Sequence, residues 1–198
     1  MAASKDLSIK QGKTFTLVLR WEAPPIVYKA ISAITQSAPV QLTVPGHGIP
    51  DGWRAAVTGV KGMTEINAEA NDVRDKDYNQ ITVVDVNTIE INAINAAGFK
   101  PYTSGGHVQF NTPVDLTGFT ARMTVRDKVG GTALASSADV IDITIDTAKH
   151  TIAISISAAD TELITWLKGV YELELVSSGN VVTQLLTGKI SVTKEIAT

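Results

Sequence analysis

The sequence predicts an all-β protein: an antiparallel sandwich of short strands with a second, compact β unit set into one of its N-terminal connections. Three observations predict it. Short runs with an apolar residue at every second position recur along the 198-residue chain, the pattern of strands buried on one face. Clusters of Gly, Pro, Asn and Asp separate these runs at the spacing of an antiparallel sandwich. One such strand precedes residues 26–110 while its partners all follow, so the intervening stretch reads as a graft into a loop whose ends lie close together.

From Thr14 to Trp21 the chain alternates, with Phe15, Leu17, Leu19 and Trp21 on one face and Thr14, Thr16, Val18 and Arg20 on the other. Pro24 and Pro25 are expected to end this strand, because neither can donate to a ladder. The next stretch, IVYKAISAITQSAP, has mixed periodicity and fits linker, strand or short helix. Within the insert, Val40, Leu42 and Val44 alternate with polar residues, and PGHGIPDG concentrates glycines and prolines in one turn-forming stretch. Ile81 and Val83, then Ile89 and Ile91, flank Asp85 to Thr88 as a hairpin. His107 to Phe110 reads as a closing strand and Pro113 as the exit.

The outer unit resumes at DLTGFTARMTVRDK, where Phe119, Ala121, Met123 and Val125 share a face, followed by a Gly130-Gly131 turn. Ile141, Ile143 and Ile145, then Ile152, Ile154 and Ile156, form two alternating runs about the polar turn DTAKH, a hairpin signature. Ser157 and Asp160 have the spacing of a capping box, predicting one short helix near 158–167 with Gly169 as its stop. Tyr171, Leu173 and Leu175 form the next strand face. The Ser177 to Asn180 turn returns the chain through Val181 to Val192, with Gly188 a candidate bulge.

Composition narrows the functional classes. Lys and Arg number 17 against 20 Asp and Glu, a formal charge of -3, and no basic stripe of the kind that nonspecific nucleic-acid binding requires is present. Without cysteine, disulfides, thiolate metal sites and thiol catalysis are excluded together. No apolar run approaches the roughly 20 residues of a membrane helix, and MAASKDLSIKQGK lacks an apolar signal core, so synthesis in the host cytoplasm is expected.

Two resemblances cover nearly the whole chain. QGKTFTLVLRW, DLTGFTARMTVRDK, TIAISISAAD, GVYELELV and LLTGKISVT together resemble the immunoglobulin-like N-terminal domain of phage upper-baseplate proteins. LTVPGHGIPDG, GVKGMTEIN and YTSGGHV resemble the phage module named after the first catalytic cysteine half-domain of ubiquitin-activating enzyme, a small β-barrel. The resemblances imply an immunoglobulin-like sandwich of residues 1–25 plus 111–198 and an inserted barrel of residues 26–110. They imply a structural virion protein of a tailed bacteriophage, an adaptor in tail, collar or baseplate that contacts other virion proteins and copies of itself in a ring or trimer. Thioester chemistry does not carry over, since no cysteine is present. The alternative is a carbohydrate- or host-receptor-binding module of the phage tail. Neither membrane nor nucleic acid is an expected partner, and no cofactor is expected.

Residue patterns that carry chemistry are weak. Gly12-Lys13-Thr14 echoes a phosphate loop, but Leu7 stands where its first glycine belongs and a strand follows where a helix is needed. Asn71, Asp72, Asp75 and Asp77 offer oxygens for calcium without the glycine and terminal Glu of an EF-hand loop, which favours a solvated loop. His47, His107 and His150 occur singly and read as surface or turn residues. No GxSxG elbow is present and no enzyme is predicted; Asp142 and Asp146 share an outward strand face where solvation suffices. Trp21 and Trp166 fit apolar faces and are expected in the core. Trp53, beside the PGHGIPDG turn, is expected to be exposed and with Tyr102 forms the candidate contact surface.

Overall fold

The computed structural model describes residues 3–68 and 73–195. Strands take up 52% of the chain and helical turns 6%, which makes the class all-β. In chain order the elements are β1 (Ala3–Ser4), β2 (Leu7–Lys10), β3 (Phe15–Arg20), β4 (Glu22–Ala30), β5 (Ala33–Ile34), β6 (Val40–Thr43), β7 (Arg54–Lys61), β8 (Asn79–Asp85), β9 (Thr88–Ile91), β10 (Ser104–Pro113), β11 (Thr120–Arg126), β12 (Ala133–Ser136), β13 (Asp142–Asp146), β14 (Thr151–Ile156), α1 (Ala158–Glu162), β15 (Lys168–Val176) and β16 (Val182–Thr193). The chain divides into an outer unit, residues 1–21 and 115–198, and an inserted unit, residues 22–114.

The outer unit is a two-sheet sandwich. One sheet runs β1-β16-β15-β11-β12, with β2 also on β16, and the other runs β13-β14-β3. Between them lie Met123, Val125, Tyr171, Leu173, Leu186 and Ile190 from the first sheet and Ile154 and Ile156 from the second. The alternation of β13 and β14 places Ile143 opposite Ile154 and Ile145 opposite Ile152, so a one-residue slip would turn the apolar row outward.

Two details of this unit differ from the sequence expectation. The helix stops at Glu162, well short of residue 167. Ser157 Oγ does accept the Asp160 amide at 3.1 Å, but Leu163 is already the C-cap and Gly169 lies inside β15 opposite Ile190. The expected bulge is not at Gly188. Leu173 pairs with Leu186 and Glu174 with Gln184, so Leu185 is the extra residue. Gly188 is required for another reason, since a Cβ there would lie 2.1 Å from the carbonyl oxygen of Lys5.

The inserted unit is one seven-stranded sheet in the order β4-β10-β7-β8-β9-β6-β5. The barrel implied by the resemblance is not closed by a ladder. The two ends of the sheet are consecutive stretches of chain, and the backbone changes partner between them: the Ile31 amide donates to the Gly106 carbonyl and the Ser32 amide to that of Thr43. Gly106, at φ +91°, sits where this ladder bends; a Cβ there would come within 2.4 Å of Val60. Val40, Leu42, Trp53, Ile81, Ile89, Ile91, Val108 and Phe110 fill the core.

The boundaries also move outward from 25/26 and 110/111. Pro24 and Pro25 do not end a strand but lie inside β4, where Ile26 pairs with Asn111 and Ala23 with Thr112, leaving both prolines as a bulge. The missing N–H groups cost nothing at this position because β4 is at the end of the sheet. The stretch with mixed periodicity is therefore strand, β4 and β5, and its half-polar pattern reflects an edge.

Candidate functional site

In the inserted unit the PGHGIPDG segment is pinned to the β8–β9 hairpin. The Gly46 amide donates to Asn87 Oδ1 at 3.0 Å, and the Val83 amide donates to Asp51 Oδ1 at 3.0 Å. His47, expected at the surface, is buried. Its Nδ1 accepts the Ile49 amide at 2.9 Å, which leaves the proton on Nε2 to be donated to the Asp85 carbonyl, also at 2.9 Å. Such a histidine locks a turn.

Trp53 is likewise corrected. It is 0% exposed, and its indole Nε1 donates to the Asn111 carbonyl at 3.0 Å. The sequence placed it beside a turn, but Trp53 immediately precedes β7 and its side chain enters the core of the unit. Tyr102 is half-buried against the same core, with its hydroxyl 3.1 Å from the carbonyls of Ile31 and of Gly105. The proposed pair is therefore a core anchor and a strand clasp, not a contact surface.

Next to Trp53, Arg54 gathers the polar groups of this unit. Its Nε donates to Glu22 at 2.7 Å and its Nη1 to Asp75, while the guanidinium lies 5.5 Å from the Tyr78 ring centre. Asn111 Nδ2 donates to the same Glu22 carboxylate at 3.0 Å. The hydrogen bond donated to Glu22 is the main reason the Arg54 guanidinium is held above its ordinary range, with Asp75 adding to it and partial burial opposing. Asp75 is thus committed to an arginine and Asp77 to the Arg74 amide; Asn71 and Asp72 lie outside the described residues. Among the described residues no three His, Asp or Glu side chains converge as a metal site.

In the outer unit the exposed face of the larger sheet carries opposed charges in rows. Arg122 and Arg126 project from β11, and Glu172 and Glu174 from β15. Arg122 pairs with Glu174 at 2.5 Å across the ladder, and Gln184 from β16 donates to Glu172 at 2.6 Å. Arg122, Arg126, Glu172 and Glu174, with Thr124, line a hollow of about 330 Å³ that is open to solvent. Pairs this exposed contribute little to stability. Beneath them Tyr171 is buried, its hydroxyl donating to the Lys5 carbonyl at 2.6 Å, and burial together with nearby Asp6 pushes its pKa up to about 12.

Some surface residues carry a signal that periodicity alone did not exploit. Val18 stands on the outward row of β3 between Thr16 and Arg20 and is 51% exposed, an apolar residue on a polar face. Val84 and Val86 at the β8–β9 turn, Val129 after β11, and Val181 and Val182 at the β15–β16 turn are exposed as well. Trp21 and Trp166 are half-buried, Trp21 meeting Phe119 edge-on at 6.0 Å. Lys13 of the phosphate-loop echo sits in the turn before β3 and pairs with Glu195 at 2.8 Å. No protein-family model matches this chain, and no curated protein matches it significantly.

Proposed function

We propose that this chain is a structural virion protein of a tailed bacteriophage, an assembly adaptor in the tail, collar or baseplate with no catalytic role. The observation that supports this most is the way the second unit is built into the first. Its first and last strands, β4 and β10, pair with each other from Glu22 with Pro113 to Ala30 with His107. A graft that enters and leaves on one ladder keeps its own core and leaves the sandwich ladders whole. The chain then offers two sets of strand edges, hairpin tips and sheet faces, each on its own core, which suits a protein docking to several neighbours. The sequence resemblances to baseplate and tail modules point the same way.

The rows of Arg and Glu on the larger sheet and the exposed valines at the hairpin tips are the surfaces on which such docking would rest. Density-gradient purification of phage particles followed by mass spectrometry tests the proposal. The chain is expected at a fixed ratio to the tail proteins. Its absence from particles, together with glycan binding by the purified protein that blocks adsorption, would overturn the adaptor reading in favour of a receptor-binding module.

A further inference from the structure

We infer that β3 is a docking edge for a second copy of this chain, the two β3 strands pairing antiparallel about a two-fold axis through Val18. This inference rests on the assembly reading and deepens it by naming the surface through which copies meet.

The smaller sheet of the sandwich has three strands against six in the larger. Its central strand buries Ile152, Ile154 and Ile156 almost completely, whereas Phe15, Leu17 and Leu19 on β3 are only half-buried although they face the same core. Among the described residues the only ladder of β3 is the one with β14, so the backbone groups on its other side have no strand beside them. An edge of this kind recruits another strand unless it is guarded by brevity, proline or charge.

The other edges of the outer unit are guarded. β1, β2 and β12 have four residues or fewer. β13 carries Asp142 and Asp146 on its outward row and packs against β11. β3 has six residues, no proline, no glycine and one charge, Arg20. Its outward row places the exposed Val18 at the middle.

The sequence of β3 is self-complementary about that residue. A two-fold axis through Val18 sets Val18 beside Val18 of the second copy, Leu17 beside Leu19, and Thr16 beside Arg20. The only charge on the strand thus faces a hydroxyl and never its own copy. The half-buried leucines of each copy cover those of the other, and the three-stranded sheets join into one of six. Isologous contacts of this type close as dimers.

The chain has no cysteine, so single cysteines report the register directly. V18C is expected to form a disulfide-linked homodimer on mild oxidation, because directly opposed Cβ atoms lie about 4.5–5.5 Å apart. T16C alone and R20C alone are expected to form no disulfide-linked dimer, and an equimolar mixture of the two to yield the mixed disulfide-linked dimer. Sedimentation equilibrium of the unmodified chain is expected to give twice 21.0 kDa, falling to the monomer mass in V18K, whose outward side chain leaves the core untouched. A monomeric chain at tens of micromolar, or crosslinking equally efficient in T16C alone and V18C, overturns the inference. Recovery of the chain in particles with no such register would remove β3 pairing and leave the adaptor role in place.

Discussion

At the scale of single residues, the clearest departure from what the sequence suggests concerns aromatic and histidine side chains near turns. Trp53 and His47 both stand in or beside a stretch rich in Gly and Pro, and local composition alone marks such residues as exposed. Their burial follows from tertiary contacts with Asn111 and Asp85, which lie 58 and 38 positions away and have no local signature. Trp53→Ala is expected to cost the inserted unit about 3–5 kcal/mol, a cavity plus an orphaned carbonyl at Asn111. Equilibrium urea unfolding measures it, and an unchanged midpoint would return Trp53 to the surface. Tyr171 makes a pH-dependent contribution. Its folded pKa, near 12, lies above its ordinary value of 10.0, so the neutral phenol is favoured by folding. That contribution is complete below about pH 10 and is lost as pH rises toward 12. The stability of Tyr171→Phe should therefore fall less steeply than that of the wild type over this interval; parallel curves would contradict the burial of the hydroxyl.

Elements were legible where one face is buried and the other wet. The β13–β14 hairpin has five Ile residues in strict alternation around a polar turn, and its register is the one periodicity implies. β4 was not legible, because an edge strand with a two-proline bulge has neither alternation nor a full set of donors. The helix ends sooner than the local cap suggests: the cap at Ser157 is local, whereas the chain beyond Leu163 enters tertiary contacts, Trp166 packing on the core and the Leu167 carbonyl accepting the Val192 amide. Gly188 lies between these cases, since its presence was plain and its purpose was not. Gly188→Ala should push the Lys5 carbonyl away and loosen the N-terminal segment. Hydrogen exchange at the Lys5 amide, which now donates to Thr187 at 3.0 Å, is expected to rise markedly while β11 and β15 stay protected. Unchanged protection at Lys5 would show that the two backbones separate without cost.

Over the whole molecule, the division into a sandwich and an insert was readable because β3 has its alternation before the insert and its partner β14 well after it. That the insert is an open seven-stranded sheet with no ladder closing it was not readable, since its two end strands are joined by a bend at Ile31 and Ser32 where the backbone exchanges neighbours. Trp53, expected at an exposed contact surface, lies in the insert's core, and Tyr102 is half-buried against it. The opposed Arg and Glu rows of β11 and β15 follow from the strand alternation, and the outward Val18 is an exception to it. Each unit has its own hydrophobic core, and the proposed role is that these cores hold docking surfaces for other virion proteins. Electron microscopy of phage particles carrying a gold-labelled tag on this chain tests it most directly. Label is expected at one fixed position on the tail, collar or baseplate of each particle; particles without label, from cells that make the tagged chain in quantity, would contradict the adaptor role.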